Sequence, residues 1–170
     1  MTAGAPGAGA SPRGAGVAIT VSTRAAAGAA ADTTGPVIVD WLALRGFDAS
    51  LVVIADGPGV ADAVDGAVAA GAAIVVTTGG TGIAPTDVTP EAVRRVIERE
   101  LPGFGEELRR RGAAHASSAL LSRGLAGTAG RALVVALPGS PGAVRDGLGL
   151  LDELLDHALD QLHGGDHGPR

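Results

Sequence analysis

The chain has 170 residues, a formal net charge of −5 and no cysteine. One domain of this length buries enough apolar surface to fold without disulfides or structural metals. Without cysteine it has no thiol nucleophile and no cysteine-ligated zinc, and since all 13 basic residues are arginine it has no Schiff-base or P-loop lysine. Three aromatic residues and an acidic balance argue against nucleic-acid binding.

The two ends of the chain differ in composition from its middle. Residues 1–16 are rich in Gly, Ala and Pro and lack the charged and apolar blocks of a signal peptide. We therefore expect a flexible tail over 1–16, a folded domain over 17–163 and a second flexible tail over 164–170. Uncharged apolar stretches stay shorter than a membrane span, so we expect no membrane association and a cytoplasmic protein.

Four short apolar runs, rich in β-branched residues, predict strands. Continuous apolar runs are typical of parallel strands that are buried on both faces. The predicted strands are Val17–Val21, Leu51–Ile54, Ala73–Val76 and Ala132–Leu137.

Helical patterns separate these runs. Apolar residues recur at three- and four-residue spacing within them, and Thr89 and Ser140 each precede a proline, as at the start of a helix. Strands that alternate with helices indicate a single three-layer α/β domain, with a mostly parallel sheet and helices on both faces. The predicted helices are Gly35–Leu44, Gly59–Ala70, Pro90–Glu100, Phe104–Arg111 and Val144–Leu162.

Polar and glycine-rich segments follow all four predicted strands, whereas the residues before the strands offer few side chains that could bind a ligand. Ligands of an open parallel sheet bind beyond the carboxyl ends of its strands, so these segments form the predicted site. In strand order, the residues are Ser22 and Arg24, then Asp56, then Thr78, Gly79, Gly80, Thr81, Gly82 and Asp87, and finally Pro138, Gly139 and Ser140.

Two of these segments are suited to phosphate. The glycines of residues 79–82 allow backbone N–H groups to converge on an anion, and Ser140 begins a helix whose N-terminus would attract one. Each segment alone is also compatible with a plain turn or an ordinary capped helix.

The predicted site also collects charge of both signs. Asp56 and Asp87 would repel phosphate and each other unless a cation intervened, and Mg²⁺ binds such carboxylates together with phosphate oxygens. Arg24 and Arg123 could balance phosphate charge, although solvated surface arginines are an equal alternative. His115 and the run Arg109–Arg111 are interpreted as structural.

The segment Thr77–Ala92, TTGGTGIAPTDVTPEA, resembles the signature of the molybdenum cofactor biosynthesis family, which includes molybdopterin adenylyltransferase and the G domain of gephyrin. Shorter matches follow in the expected order, and the resemblance covers residues 17–162. These matches are Val21–Arg24 with Gly28 and Asp32, Ala55–Gly57, Leu101–Phe104, Leu121–Arg123 with Ala126 and Gly127, and Leu137–Pro141.

This resemblance implies Mg-ATP-dependent adenylylation of molybdopterin, with release of pyrophosphate. Asp56 and Asp87 would be the essential carboxylates and would handle the metal. Thr78–Gly82, Ser122 and Pro138–Pro141 would line the pterin and phosphate pocket. The resemblance also implies a homotrimer, and a separate molybdate-inserting protein is a further expected partner.

Three positions depart from the family pattern. Ala136 replaces a common Asn, Gly142 replaces a common Lys, and Thr23 replaces a common Asp. The first two leave open a non-catalytic paralogue that binds molybdopterin or a nucleotide. A nucleotide hydrolase on the same fold is a third possibility, and the choice between ATP and GTP is also open.

Overall fold

The computed structural model describes residues 13–165, so residues 1–12 and 166–170 of the two expected tails lie outside the described part. Six strands occur in it: β1 (Ala15–Val21), β2 (Asp48–Ile54), β3 (Ile74–Thr78), β4 (Arg99–Glu100), β5 (Leu125–Ala129) and β6 (Ala132–Leu137). The α-helices are α1 (Thr23–Ala26), α2 (Gly35–Leu44), α3 (Gly59–Ala69), α4 (Thr89–Val96), α5 (Pro102–Ala113) and α6 (Pro141–Leu162), and a 3₁₀ helix covers Ser117–Leu121.

The strands form one sheet in the order β2-β1-β3-β6-β5-β4. Strands β2, β1, β3 and β6 are parallel, β5 runs antiparallel to β6, and β4 runs antiparallel to β5. The single α/β domain with a mostly parallel sheet is therefore confirmed. None of the helices within residues 13–165 is both long and apolar enough to span a bilayer.

Two apolar clusters pack on the opposite faces of the sheet. On one face, α2, α5 and α6 contribute Leu42, Phe104 and Leu151, among others. On the other face, α3 and α4 contribute Val64 and Val93. The predicted three layers, with helices on both faces, are thus present.

Strand β2 does not have the predicted burial. It is an edge strand, bonded to β1 alone in the sheet, and its apolar residues are partly exposed. Leu51, Val52 and Val53 keep 38%, 40% and 37% of their surface accessible. The prediction of burial on both faces holds for β3 and β6. It is wrong for β2, because an apolar run does not show whether a strand has neighbours on both sides.

The antiparallel part of the sheet was not predicted. Helix α4 ends at Val96 and not at Glu100, because Ile97 is extended (ψ 142°) and the chain then pairs with β5. Strands β5 and β6 form a hairpin that turns at Gly130, whose φ of +55° suits glycine. The hairpin brings Ser122 and Arg123, which precede β5, to the same sheet edge as the loop after β3.

Candidate active site

A cleft of about 810 Å³ opens at the carboxyl ends of β3 and β6. The loop after β3 and the start of α6 form one side of it, and α5 with the following 3₁₀ helix forms the other. Of the predicted site residues, the cleft is lined by Gly79, Gly80, Thr81, Gly82, Asp87, Ser122, Pro138, Gly139 and Ser140. Residues that are spread over positions 79–140 of the sequence thus meet in one concave surface.

Gly79 and Gly80 occupy positions in the loop that have no room for a side chain. Gly79 has φ +98°, and a Cβ there would lie 2.2 Å from the carbonyl oxygen of Val21, at the end of β1. Its N–H donates to the carbonyl oxygen of Leu137, at the end of β6, over 3.1 Å. The loop therefore packs directly against the ends of both neighbouring strands, which requires glycine.

Each of the two carboxylates lies next to a different glycine of this loop. A Cβ on Gly80 would lie 2.6 Å from Oδ1 of Asp56, and a Cβ on Gly82 would lie 2.6 Å from Oδ2 of Asp87. Burial, and next the negative charge of Asp87, raise the pKa of Asp56 above its ordinary value. Asp87 lines the cleft itself, whereas Asp56 lies close to Gly80 and is not part of the lining.

Local contacts hold each carboxylate in place. Oδ2 of Asp56 accepts from the hydroxyl of Thr23 at 3.5 Å, and the Asp56 N–H donates to the same hydroxyl at 3.2 Å. Oδ2 of Asp87 accepts from the N–H of Ala84 at 3.1 Å. Thr23, where the family pattern commonly has Asp, therefore supports Asp56 by hydrogen bonding.

The carboxylate pair fits a divalent cation. Oδ1 of Asp56 is buried and has no hydrogen-bond partner, and two neighbouring carboxylates favour a positive charge between them. Within residues 13–165 no group of three or more His, Asp or Glu side chains could enclose a metal. Asp56 and Asp87 could thus hold Mg²⁺ only with help from water and phosphate oxygens, the coordination that Mg²⁺ prefers.

The hydroxyl groups at this edge hold the loops together. Thr78, which is buried, donates to the carbonyl oxygen of Pro138 at 3.1 Å and so joins the loops after β3 and β6. Ser22 and Ser140 cap α1 and α6 by accepting from Ala25 N and Ala143 N, each at 3.2 Å. The N-cap role predicted for Ser140 is confirmed, with Pro141 in the first turn of α6. The same prediction is wrong for Thr89, which is the first residue of α4 itself, with Val88 at the N-cap position.

The two predicted arginines have different surroundings. Arg123 donates to the carbonyl oxygens of Gly82 and Asp87 and forms an ion pair with Glu91, so its guanidinium binds the protein itself. It does not line the cleft. Arg24 lies exposed on α1 and is also outside the cleft lining.

Two arginines and a histidine that were not among the predicted site residues also line the cleft. Arg109 and His115 lie on the side that contains α5, and Arg145 lies opposite them on α6. Arg109 donates to the carbonyl oxygens of Ser122 and Gly124, both at 3.3 Å. Arg145 follows Gly142 by three positions, so helical spacing could have placed both residues on one face of α6. No comparable signal marks Arg109 or His115, whose place depends on how α5 packs.

Comparison with known proteins decides the family. Residues 17–157 match the family described as "Probable molybdopterin binding domain". The chain belongs to this family. The glycine loop, both carboxylates and the start of α6 all lie within the matched residues.

Curated relatives of this molybdopterin-binding family carry names from molybdenum cofactor biosynthesis. The chain is 42% identical over 152 residues to the "Molybdenum cofactor biosynthesis bifunctional protein" of Synechococcus elongatus, which covers 88% of this chain and 48% of that protein. It is 41% identical over 91 residues to the "Molybdopterin adenylyltransferase" of Helicobacter pylori, covering 54% of this chain and 52% of that one. The region that matches this chain thus makes up about half the length of each of these relatives.

Solved structures of the family share the fold. The molybdopterin biosynthesis Mog protein from Mycobacterium ulcerans is 46% identical, with a TM-score of 0.84 over 88% of this chain and 97% of that one. The molybdopterin biosynthesis enzyme MoaB from Thermus thermophilus is 37% identical, with a TM-score of 0.78 over 88% and 96% of the two chains. The mostly parallel sheet and its helices are therefore those of the family.

Proposed function

We propose that this protein transfers the adenylyl group of Mg-ATP to molybdopterin and releases pyrophosphate. The observation that carries the proposal is that Asp56 and Asp87 lie beside Gly80 and Gly82 of the glycine loop, which lines the cleft together with Asp87. Relatives that are named molybdopterin adenylyltransferase support the choice of reaction.

The reaction is a displacement at phosphorus. An oxygen of the terminal phosphate of molybdopterin attacks the α-phosphorus of ATP, a new P–O bond forms, and the bond from the α-phosphorus to the bridging oxygen breaks. Pyrophosphate leaves with the electron pair of that bond. The attacking phosphate oxygen is already anionic near neutral pH, so the protein needs no cysteine or lysine for this step. Its tasks are positioning and charge neutralisation.

The groups at the sheet edge are suited to these tasks. The backbone N–H groups around Gly79–Gly82 and at the start of α6 would bind phosphate oxygens. Asp56 and Asp87 would hold Mg²⁺, which when bound neutralises phosphate charge. Arg145 borders the same cleft and would add positive charge near the phosphates. Arg123 keeps the loop that carries Asp87 in place.

The pterin ring would contact aliphatic side chains. Leu108, Leu121 and Ile83 line the cleft, and both Ile83 and Leu121 are exposed. The lining contains no aromatic residue among those that the structure describes, so ring stacking would not contribute. Hydrogen bonds from the loops would set the orientation of the pterin.

A pyrophosphate-release assay with purified molybdopterin and Mg-ATP tests the proposal. We expect Asp87→Asn to lower turnover at least ~100-fold while molybdopterin binding weakens only modestly, because charge neutralisation acts mainly in the transition state. Asp65→Asn, on the exposed side of α3, is the matched control and should keep full activity. Full activity of Asp87→Asn would refute the assignment.

A binding-only role is the second candidate, and Gly142 favours it. This residue lines the cleft but offers no side chain to a ligand. Titration calorimetry with molybdopterin separates the two roles, since binding without pyrophosphate release under Mg-ATP would favour a binding module. Release of phosphate from ATP without molybdopterin would instead indicate a hydrolase.

We further propose a homotrimer that works in the cytoplasm, where ATP is abundant. The partly exposed apolar residues of β2 support self-association, because an edge strand with such a surface readily pairs with another chain. Sedimentation equilibrium would give the mass of the assembly. A molybdate-inserting protein is the proposed downstream partner, in keeping with the relatives named bifunctional, which are about twice as long as the matched region.

A further inference from the structure

Two buried oxygens next to Gly80 have no hydrogen-bond partner. They are Oδ1 of Asp56 and the hydroxyl oxygen of Thr89. Thr89 is completely buried. Buried polar atoms are nearly always hydrogen-bonded, and an unpartnered one is costly, so two of them side by side call for an explanation.

The two oxygens are neighbours. A Cβ built on Gly80 would lie 2.3 Å from the Thr89 hydroxyl and 2.6 Å from Oδ1 of Asp56. The oxygens are therefore within about 5 Å of each other, and a shift of about 2 Å or less would bring them to hydrogen-bond distance. Their chemistry is complementary, since a hydroxyl donates and a carboxylate accepts.

Of the two residues, Asp56 is the one that can move. Thr89 begins α4 directly before Pro90, and its N–H donates to the carbonyl oxygen of Gly80 at 3.2 Å. Asp56 lies in the loop after β2, followed by Gly57, around which a Cβ would find nothing within 4 Å. The Asp56 carboxylate is held by a long hydrogen bond of 3.5 Å from the Thr23 hydroxyl and adjoins a glycine with open space around it, whereas the Thr89 hydroxyl is fixed by a helix.

We propose that Thr89 is a positioning residue for Asp56: with nucleotide bound, its hydroxyl donates to Oδ1 and fixes the orientation of the carboxylate that would hold the cation. This inference rests on the proposed function. It also explains why residue 80 is glycine, because any side chain there would separate the two oxygens. Without nucleotide, the hydroxyl contributes nothing to folding through a hydrogen bond.

Two substitutions separate positioning from a structural role. Thr89→Val keeps the shape and removes the hydroxyl, and Thr89→Ser keeps the hydroxyl. We expect Thr89→Val to lower kcat about tenfold, as for the loss of a hydrogen bond to a charged group, and to raise KM for Mg-ATP in line with weaker nucleotide binding, with KM for molybdopterin within about twofold. Thr89→Ser should stay close to the parent protein. The melting temperature of Thr89→Val should equal or exceed that of the parent, since an unpartnered hydroxyl is replaced by a methyl group.

A binding measurement tests the coupling without turnover. The affinity for Mn²⁺-ATP, measured by electron paramagnetic resonance without molybdopterin, should fall about tenfold in Thr89→Val. In an Asp56→Asn background, the same substitution should have no further effect, because the hydroxyl acts through the carboxylate. An equal loss in both backgrounds would overturn the inference, as would parent-like kcat and Mn²⁺-ATP affinity in Thr89→Val.

The proposed function and this inference fail in different ways. If the parent protein binds Mn²⁺-ATP but releases no pyrophosphate, the adenylyl transfer is refuted. The Mn²⁺-ATP affinities of Thr89→Val with and without Asp56→Asn still test the role of Thr89 in that case. If the parent protein does not bind Mn²⁺-ATP, the role of Thr89 is refuted as well. Pyrophosphate release by the parent, together with unchanged kcat in Thr89→Val, refutes the role of Thr89 alone.

Discussion

Arg123 donates a hydrogen bond to the backbone carbonyl oxygen of Asp87 and leaves the Asp87 carboxylate at the cleft. The same guanidinium donates from Nε to the carbonyl oxygen of Gly82 at 2.8 Å and pairs with Glu91 on α4. One planar side chain thus ties both ends of the loop between the glycines and α4. Arg123 thus positions the Asp87 carboxylate by holding the backbone of that residue.

Replacing Arg123 with Lys should therefore impair catalysis more than folding. An ammonium group cannot reach three acceptors in the fixed geometry of a guanidinium. We expect turnover in the pyrophosphate-release assay to fall about tenfold, since small misplacements of catalytic groups are costly. Arg131→Lys, exposed in the turn of the β5–β6 hairpin, is the control. Unchanged turnover in Arg123→Lys would show that the loop keeps its place without this side chain.

A methyl group on Gly80 should disturb both the backbone and the carboxylate. Gly80 has φ +64°, and its Cβ would overlap Thr89 and Asp56. We expect Gly80→Ala to destabilise the fold by about 1–3 kcal/mol and to abolish most activity. Urea unfolding measures the first effect, with Gly149→Ala as control, because Gly149 lies on α6 with nothing within 4 Å of its Cβ position. That control should be neutral or slightly stabilising.

We expect the ionised carboxylate of Asp56 to destabilise the folded protein near neutral pH. Burial and the charge of Asp87 raise its pKa in the folded state, so the ionised carboxylate is less favourable there than in the unfolded chain. Its unfavourable contribution is absent well below the unfolded pKa and complete once the pH exceeds the folded pKa. We expect Asp56→Asn to raise the melting temperature by about 1–3 °C at pH 7 and to lose that advantage at pH 3. A lower melting temperature at pH 7 would contradict the raised pKa.

Glu107 should have the opposite pH dependence. Hydrogen bonds from Arg110 and Arg111 lower its pKa from 4.5 to about 2, and Arg111 also pairs with Glu153 on α6 at 2.7 Å. Because the folded pKa is the lower one, the stabilising effect is complete above about pH 4.5 and is lost as the pH falls through about 2.

Unfolding by urea from pH 6 to pH 2 tests this dependence. Glu107→Gln should be slightly less stable than the parent at pH 6, a small effect because the pairs are exposed, and the difference should vanish near pH 2. Glu98→Gln, exposed before β4, serves as control. A constant difference over this range would assign the effect to packing and not to charge.

The parallel part of the fold could be predicted because its signals are local. Continuous β-branched runs mark β1, β3 and β6, and the predicted helix Gly35–Leu44 agrees with α2 at both ends. Strand β5, with the sequence LAGTA, lacks such a run, and β4 has only two residues. Both depend on pairing across the sheet, which the residues of one strand do not reveal.

The site could be predicted only in part for the same reason. Residues that follow parallel strands are brought to one edge by topology, so the glycine loop and the start of α6 were found. Arg109 and His115 lie at the cleft because of the way α5 packs, and no sequence motif indicates that packing. The roles of Arg24 and of Asp56 and Asp87 as metal ligands stay predictions. For Arg123, the structure places its guanidinium on the backbone of the loop.

Leu51, Val52 and Val53 form a partly exposed apolar surface on one flank of the sheet, and this flank affects how activity must be measured. If chains associate through this flank, dilution will separate them, and the specific rate per chain will depend on how much protein is in the cuvette. Comparisons among variants are then meaningful only at matched concentration. A substitution of Leu51, Val52 or Val53, none of which lines the cleft, could lower the measured rate simply by separating the subunits.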